Sequence, residues 1–479
     1  MDQNRTPLLD ALLSYRKKQR ISFHVPGHKD GLVFSQKGEN IYRDILSIDG
    51  TELEGLDDLY QPQGPILEAQ KLLTDYYQTG KSYFLVNGST VGNLTMILSA
   101  CNVGDRILVQ RNSHKSIFNA IQLSKANPVF LTPQIDEDTE IPVGIDKKVI
   151  LEALDKYSDA KVLILTYPNY FGMAADYKEV ISIAKDKGLR VLVDEAHGAH
   201  FKLGEPVPVS TLELGADIVV HSAHKTLPAM TMGSFLHIHK DSQDLTAPVE
   251  KYLSMLQSSS PSYPIMASLD LARHYLASVT EKMLENTLSN IKQLECQLQD
   301  IPQINLVTDQ GKFYTKDPFK ILLQAPFDIS GYMMQERLIS HGIYPELADP
   351  NHVLFILAVS DQIDYSIEPK ILKRALKDLP IKNKQMNKRM YLPDNISSLA
   401  LNYDQIINLE MIEVPLTEAE ECISAEDVIP YPPGIPIVLK GERLTGRTIK
   451  IIEQWRLTGA RFQNGETLQY KGKIKVYDF

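Results

Sequence analysis

Two residues of opposite charge follow two separate apolar runs near the middle of the chain. Asp194 ends the run Val191–Val193, and Lys225 comes shortly after the run Ile218–Val220. Because the carboxyl ends of parallel strands meet at one edge of a sheet, we expect the carboxylate and the amine to lie close together. A buried carboxylate needs a partner such as a heterocyclic N–H⁺, and a desolvated amine can attack an aldehyde. The pair therefore suits pyridoxal phosphate (PLP), whose ring nitrogen and aldehyde require these two groups.

A phosphate group needs a cradle, and the segment Asn87–Thr90 offers one. It follows the apolar run Tyr83–Val86 and opens a helical stretch that continues to about Ser99. Small residues let the backbone approach closely, and the N-terminus of a helix presents free N–H groups and a favourable dipole to an anion. Ser89 and Thr90 are therefore candidate phosphate-binding residues.

His114 could stack its imidazole on a flat ring, because it follows the predicted strand Arg106–Gln110 at the same edge of the sheet. Each of these residues also has an ordinary structural explanation. A lone histidine is at least as often a helix cap or a solvent-facing side chain. Asp194 could equally cap a helix, Ser and Thr are common N-caps, and most single lysines lie in solvent.

Short apolar runs that alternate with helical stretches must position these residues. Each run is continuous and rich in Leu or β-branched residues, which is typical of strands buried on both faces of a mainly parallel sheet. The alternation of strand and helix predicts a doubly wound α/β domain. The runs are Tyr83–Val86, Arg106–Val109, Val129–Leu131, Val162–Leu165, Val191–Val193, Ile218–Val220 and Phe235–Ile238.

Changes of pattern along the chain predict four parts. The first is irregular and rich in turn formers, and a helix over Pro65–Gln78 follows it, with a proline suited to the first turn. A long helical region, roughly Met266–Leu298, lies at the end of the second part. The basic stretch Lys382–Arg389 predicts a linker before the fourth part. The parts are an N-terminal segment (1–63), a large PLP-binding α/β domain (64–300), a small α/β domain (301–381) and a C-terminal domain (390–479).

Composition and charge exclude several classes of protein. The 479 residues are 43% hydrophobic and 23% charged, which is typical of a folded globular protein. A formal net charge of -10 disfavours nucleic acid and anionic membranes as partners. Cys101, Cys296 and Cys422 are too few and too scattered for a disulfide framework or a zinc site, and no apolar run approaches the roughly 20 residues of a membrane span. We therefore expect a cytoplasmic protein.

Three short patterns suggest nucleotide or metal binding, but each lacks the surrounding residues that such a site requires. Asp194–His197 spells the DEAH box of helicases, and Gly80–Ser82 resembles the end of a P-loop. The P-loop motif needs a glycine where Asp75 stands, and it runs from strand to helix rather than from helix to strand. Two histidine pairs, His197 with His200 and His221 with His224, have i, i+3 spacing. Neither pair brings the carboxylate or cysteine ligands that a metal site usually has, so no metal site is predicted.

Rare motifs in a fixed order run along nearly the whole chain. They are Phe23–Lys29, Leu56–Leu59, Gly64–Ile66, Asn87–Thr90, Arg111–Ser116, Val193–Gly198, Ser222–Lys225, Pro430–Pro436 and Gly441–Glu442. On these motifs the chain resembles the ornithine/lysine/arginine decarboxylases, bacterial PLP enzymes of fold type I, and most of all their shorter arginine-decarboxylase-like branch. The resemblance implies a PLP-dependent transferase-like α/β fold with a mainly parallel central sheet, a small α/β domain and a C-terminal domain.

The resemblance also assigns roles to single residues. It implies that Lys225 holds the cofactor as a Schiff base, that Asp194 pairs with the ring nitrogen, that His114 stacks on the ring and that His197 supports the ring region. It implies a homodimer or higher oligomer with shared active sites, in which one stretch reaches a neighbouring subunit's phosphate. The residues that it places around the phosphate are Ser89, Thr90, Ser222 and His224 and, from that stretch, Ser259 and Ser260.

The activity that the resemblance implies is decarboxylation of a basic amino acid, arginine favoured over lysine or ornithine, to a polyamine-pathway amine and CO₂. After Lys225 the family usually has small residues and a Gln, whereas this chain has Pro228 and Met232. Two alternatives therefore stay open: another PLP enzyme, such as an aminotransferase, or a catalytically silent member with a binding or regulatory role. Glu442 is a candidate, by motif position, for the residue that binds the distal cation of the substrate.

Overall fold

The computed structural model describes residues 1–18, 21–309, 312–326, 329–365, 368–380, 394–431, 436–457, 461–462 and 467–478. The helices are α1 (Pro7–Arg16), α2 (Glu39–Leu46), α3 (Pro65–Tyr77), α4 (Gly88–Ala100), α5 (Lys115–Ser124), α6 (Lys147–Lys156), α7 (Lys178–Asp186), α8 (Ala223–Thr226), α9 (Thr246–Leu256), α10 (Tyr263–Ser278), α11 (Glu281–Gln299), α12 (Gly331–Ile339), α13 (Glu368–Leu376) and α14 (Gly446–Leu457). The strands are β1 (Lys81–Leu85), β2 (Arg106–Gln110), β3 (Asn127–Leu131), β4 (Gln134–Ile135), β5 (Pro142–Gly144), β6 (Val162–Thr166), β7 (Met173–Ala175), β8 (Arg190–Asp194), β9 (Ile218–His221), β10 (Ser234–Ile238), β11 (Asn305–Leu306), β12 (Tyr314–Lys316), β13 (Lys320–Gln324), β14 (Leu347–Ala348), β15 (His352–Ile356), β16 (Ile396–Ser398), β17 (Met411–Pro415), β18 (Pro430–Tyr431), β19 (Arg461–Phe462) and β20 (Lys473–Tyr477).

An eight-stranded sheet, in the order β1-β10-β9-β8-β6-β2-β3-β16, confirms the predicted mainly parallel sheet. β2 runs parallel to β3 and β6, and β8 runs parallel to β9. Antiparallel pairs occur towards the two edges, where β10 joins β1 and β9, and where β16 joins β3. The seven apolar runs of the sequence form β1, β2, β3, β6, β8, β9 and β10, and nearly all of their residues are buried, as continuous apolar strands should be.

The chain divides into two compact units by the density of its internal contacts. The first comprises Met1–Ala100, Leu192–Leu203 and Val209–Thr280, and the second comprises Cys101–Val191, Gly204–Pro208 and Glu281–Phe479. The four parts predicted from the sequence remain a prediction. The predicted linker Lys382–Arg389 and residues 432–435 of the proline-dense run lie outside the described residues.

In the first unit, α4 packs against β1, β9 and β10. The contact is close because Gly92 faces the sheet: a Cβ there would lie 2.7 Å from both Leu85 Cδ1 and Val220 Cγ1. The family motif around Asp57 also has a structural role. The Asp57 carboxylate accepts hydrogen bonds from the N–H groups of Gly64 (2.8 Å) and Ile66 (3.1 Å), and so caps the start of α3.

In the second unit, a small antiparallel sheet has the order β11-β13-β15-β14, with α12 and α13 packed together beside it. β17 and β20 pair antiparallel. Around them lies a separate hydrophobic core that includes Leu444, Ile452, Trp455, Ile474 and Val476.

The prediction that residues 1–63 are irregular throughout is wrong, because this segment contains α1 and α2. α1 begins with a proline at its first turn and buries Leu8 and Leu12. Distant polar partners hold it in place: the N–H of Leu8 donates to Asp270 at 3.1 Å, and Arg273 donates to the carbonyl oxygen of Arg5 at 2.5 Å. These contacts come from α10, so no local sequence pattern revealed them.

The long helical region predicted over Met266–Leu298 is two helices, α10 and α11, with a break at Val279 and Thr280. Val279 takes extended backbone angles, φ -66° and ψ 111°. Both residues are β-branched, and their side chains lose rotamer freedom in a helix, which favours a break at this pair.

The close approach of α4 to the sheet leads to a stability prediction. Gly92→Ala should lower the free energy of unfolding by about 1–3 kcal/mol, because the methyl group would overlap Leu85 and Val220. The better helix propensity of alanine, about 1 kcal/mol, offsets only part of that loss. Urea denaturation would measure the change.

Gly27→Ala is the matched control, since a Cβ at Gly27 meets nothing within 4 Å. Equal stability of the two variants would show that α4 can shift away from the sheet without cost.

Candidate active site

Asp194 lies at the end of β8 and is 4% exposed. Its Oδ2 accepts a hydrogen bond from Asn93 Nδ2 at 2.8 Å, and its Oδ1 accepts one from the N–H of Ala196 at 3.2 Å. The alternative of a helix N-cap is wrong, because the fully described stretch after Asp194 continues in turns and a single 3₁₀ turn, Phe201–Leu203, rather than an α-helix. Asn93 projects from α4, so one side chain links the predicted phosphate helix to the predicted ring-binding carboxylate.

Lys225 lies on the short helix α8, which follows β9 directly, and its side chain is half-buried. Its Nζ lies 3.1 Å from Nε2 of His197, which is 5% exposed. The structure therefore brings Lys225 and His197 together within the first unit, and the alternative of a fully solvated surface lysine is wrong. A histidine at this distance can hold or exchange a proton with the amine.

The predicted phosphate cradle lies at the N-terminus of α4. Gly88 takes a left-handed φ of +79° and opens α4, with Ser89 and Thr90 in the first turn. A Cβ added at Gly88 would meet nothing within 4 Å, so the space beside the helix N-terminus is open. Ser222 is 0% exposed, and its Oγ has no hydrogen-bond partner among the described residues. A bound phosphate would supply that partner.

These residues fit PLP on observations of the structure alone. A buried carboxylate, an amine and an open helix N-terminus occur in one compact unit, together with an unpartnered buried hydroxyl at Ser222. The described residues contain no group of three or more His, Cys, Asp or Glu side chains that could hold a metal ion.

His224 and the serine stretch are anchored within their own chain. Nδ1 of His224 lies 3.1 Å from the carbonyl oxygen of Gly233. Ser259 and Ser260 are exposed, while the N–H of the preceding Ser258 donates to Asn87 Oδ1 at 3.2 Å, beside the phosphate cradle. That Ser259 and Ser260 reach a neighbouring subunit stays a prediction.

Tyr60 also fixes this stretch, by donating a hydrogen bond from its hydroxyl to the carbonyl oxygen of Ser258. Burial, followed by the nearby carboxylates of Asp58 and Glu52, raises the pKa of Tyr60 to about 12. The hydroxyl therefore stays protonated and remains a donor at neutral pH. Sequence reasoning named the motif around Asp58 but missed this role of Tyr60.

The backbone after Lys225 departs from ordinary geometry. Met232 has a left-handed φ of 78°, which is uncommon for a residue with a side chain, and it is 43% exposed. Pro228 is exposed as well. Both residues therefore point to solvent in the single chain, and the atypical composition of this loop leaves the Lys225–His197 contact intact.

His114 belongs to the second unit, where it caps α5. Its Nδ1 accepts a hydrogen bond from the N–H of Ser116 at 3.3 Å and lies 2.9 Å from Ser116 Oγ. The helix-cap explanation of this histidine is thus correct. That His114 also stacks on the ring stays a prediction.

Arg111, three residues before His114, forms a buried bidentate ion pair that sequence reasoning missed. Its two terminal nitrogens donate to the two carboxylate oxygens of Glu442, each at 2.7 Å, and both residues are 6% exposed. Arg111 also donates to the carbonyl oxygen of Ile437 at 2.9 Å and to Ser397 Oγ at 3.1 Å. The hypothesis that Glu442 binds the distal cation of the substrate is wrong, because Arg111 already occupies its carboxylate.

Comparison with known proteins identifies the family. The sequence model described as "Orn/Lys/Arg decarboxylase, major domain" matches residues 6–313, and the one described as "Orn/Lys/Arg decarboxylase, C-terminal domain" matches residues 382–463. The chain belongs to the Orn/Lys/Arg decarboxylase family. The predicted family is confirmed, and with it a decarboxylase whose cofactor is PLP.

Similar proteins support the assignment over the whole length. This decarboxylase is 45% identical over 448 residues to the uncharacterized protein YaaO of Bacillus subtilis, covering 93% of both chains. It is 35% identical to an arginine decarboxylase of Bacillus anthracis, covering 100% of this chain and 99% of that one.

A solved structure, the constitutive lysine decarboxylase of Escherichia coli, matches with a TM-score of 0.78 at 20% identity, over 100% of this chain and 82% of that one. The shared fold confirms the predicted fold class. In the described part of the chain, no helix combines the length and the apolar character that crossing a membrane would require.

The Arg111–Glu442 pair leads to a second prediction. Glu442→Ala should lower the free energy of unfolding by about 3–5 kcal/mol, because it leaves the guanidinium buried without its counter-charge. Thermal or urea unfolding would measure the loss.

Asp159→Ala is the control, because Arg106, at the other end of β2, pairs with Asp159 in solvent, and removing an exposed partner should change stability little. A small loss for Glu442→Ala would show that water or another group takes over the charge of Arg111.

Proposed function

We propose that this protein decarboxylates arginine with PLP held covalently by Lys225. The observation that carries the proposal is the grouping of Lys225, His197 and Asp194 in one compact unit, with the amine 3.1 Å from the imidazole. The choice of arginine rests on the 35% identity to an arginine decarboxylase over the full chain. The amine product would then enter polyamine synthesis, and we place the enzyme in the cytoplasm.

Each end of the cofactor has its own binding groups in this proposal. The N–H groups at the start of α4, with Ser89, Thr90 and the unpartnered hydroxyl of Ser222, hold the phosphate. The Asp194 carboxylate, oriented by Asn93, would pair with the protonated ring nitrogen. His224 stands near the phosphate, and His114 stacks on the ring. Ser259 and Ser260 complete a neighbouring subunit's phosphate site.

The protein's own groups then manage the protons. When bound, PLP supplies an electron sink into which the bond to the substrate carboxylate can break, releasing CO₂. Lys225 would hold the cofactor, and His197 Nε2, 3.1 Å from the amine, would accept or return the proton on Nζ. Asn93 and the N–H of Ala196 donate to the two oxygens of Asp194 and so orient the carboxylate that would face the ring nitrogen.

The exposed apolar side chains near the N-terminus support the proposed homodimer. Ile21, Phe23, Leu32 and Ile41 are 85%, 92%, 85% and 76% exposed in the single chain. Apolar surface gathered in one short segment marks an interaction site. We propose that this segment packs against a second copy of the chain and that the active sites are shared across that interface.

Covalent attachment of PLP gives the first functional prediction. Lys225→Ala should abolish the visible absorption band of the bound cofactor, and borohydride should no longer fix the cofactor on the chain. Peptide mapping of the reduced wild-type protein should find the label on Lys225.

Lys202→Ala is the control, because Lys202 is a lysine of the same unit that pairs with Glu213 at 2.9 Å. Retention of the band and the label in Lys225→Ala would remove Lys225 as the attachment site.

The substrate gives the second functional prediction. CO₂ release in the presence of PLP should be fastest with arginine, with kcat/KM higher than for lysine or ornithine by about tenfold or more. Faster release from lysine or ornithine would overturn the choice of arginine. Release of a keto acid without CO₂ would indicate an aminotransferase, and PLP binding without either product would indicate a silent member of the family.

A further inference from the structure

A second pair of buried side chains lies directly beside the cofactor-binding residues. Glu195 follows Asp194, and His221 precedes Ser222; both Glu195 and His221 are 0% exposed. His221 Nε2 lies 3.0 Å from Glu195 Oε1. Nothing in the proposed chemistry uses either side chain.

The pair joins the ends of two neighbouring parallel strands. In the register of β8 and β9, Asp194 pairs with Val220. The backbone continues this pairing beyond β8, since the N–H of Glu195 donates to Val220 O at 3.0 Å and the N–H of Ser222 donates to Ala196 O at 3.2 Å. The Glu195–His221 contact therefore links the ends of β8 and β9, next to Asp194 and Ser222.

The carboxylate of Glu195 is fully satisfied within the protein. Oε1 accepts from Ser210 Oγ at 2.6 Å, and Oε2 accepts from the N–H of Thr211 at 2.8 Å and from its hydroxyl. Gly198 leaves room for it, because a Cβ there would lie 2.6 Å from Glu195 Cγ. A buried carboxylate with this many donors is held in one position.

Aromatic rings enclose the His221 side of the pair. The ring of Tyr77 lies 5.3 Å from that of His221, and the ring of His237 lies 4.8 Å from it. Burial, together with the nearby His221, keeps the pKa of His237 well below its ordinary value, so His237 stays neutral. Burial raises the pKa of Tyr77 well above its ordinary value, so its hydroxyl remains a donor, to Ala199 O at 2.6 Å.

We infer that Glu195 and His221 are positioning residues for PLP. By locking the ends of β8 and β9 in register, the pair sets the separation of the Asp194 carboxylate and the Ser222 hydroxyl, which meet the ring and the phosphate of one rigid cofactor. The inference rests on the proposed roles of Asp194 and Ser222. A pair that only stabilised the fold would leave the affinity and the spectrum of the bound cofactor unchanged.

The test compares two buried carboxylates of the same unit in the full-length protein. Glu195→Gln keeps the shape but removes the charge facing His221. Asp270→Asn is the control: Asp270 is also 0% exposed and bonds Arg273 at 2.6 Å, but it anchors α1 to α10 instead of the strand ends. The readouts are the free energy of unfolding, the dissociation constant for PLP added to the cofactor-free protein, and the pH titration of the visible band.

Both variants should lose stability, but only Glu195→Gln should weaken PLP binding, by about tenfold or more, and shift the titration of the band. Equal affinity and an equal spectrum in Glu195→Gln and Asp270→Asn would overturn the inference. If Glu195→Gln does not fold, His221→Gln carries the same comparison.

A double-mutant cycle tests whether the residues act as a pair. The double variant Glu195→Gln, His221→Gln should lose no more PLP affinity than the weaker-binding single variant, whereas additive losses would contradict a shared role. Failure of the proposed function looks different: wild type and Lys225→Ala would then bind PLP equally, whatever Glu195 does.

Discussion

The hydrogen bond from Asn93 to Asp194 is the interaction on which the arrangement of the site depends. Asn93 lies one helical turn beyond Ser89, on the helix whose first turn is the proposed phosphate cradle, and its Nδ2 donates to the Asp194 carboxylate at 2.8 Å. A buried carboxylate is costly without such a donor. The same bond therefore stabilises Asp194 and fixes its distance from the helix N-terminus, so a single contact sets the spacing between the two proposed ends of the cofactor site. Gly92, next to Asn93, allows α4 to come close enough to the sheet for this contact.

Two buried carboxylates, Glu195 in the first unit and Glu442 in the second, have one feature in common. Several donors surround each carboxylate, so the hydrogen-bonding capacity of its oxygens is met in the interior. Buried ion pairs contribute less to stability than their geometry suggests, since desolvation offsets the attraction. Each pair instead holds its side chains, and the backbone that carries them, in a defined position. Glu195 fixes strand ends beside Asp194, and Glu442 fixes Arg111, three residues before His114.

Local patterns in the sequence predicted the parts of this structure that local physics determines. Continuous apolar runs identified the strands of the large sheet, and the rule that ligands bind at the carboxyl ends of strands led to Lys225 and Asp194. The break between α10 and α11 is local, but several other features that the sequence did not reveal depend on partners far along the chain. α1 needs Asp270 and Arg273, Asp194 needs Asn93, and Glu442 found Arg111 instead of a substrate. No periodicity or motif spacing encodes which distant residue a buried charge will meet.

The Arg111–Glu442 pair also bears on how the chain is made. The two residues are separated by 331 positions, so a ribosome working at about 5–20 residues per second delivers Glu442 on the order of tens of seconds after Arg111. During that interval the guanidinium lacks the Glu442 carboxylate, and the cost of burying an unpaired charge keeps it in water. The second unit thus cannot complete its interior until Glu442 has emerged, and synthesis that stops before Glu442 leaves the arginine next to strand β2 without this partner. Synthesis of Glu442 and closure of this part of the molecule are therefore coupled events.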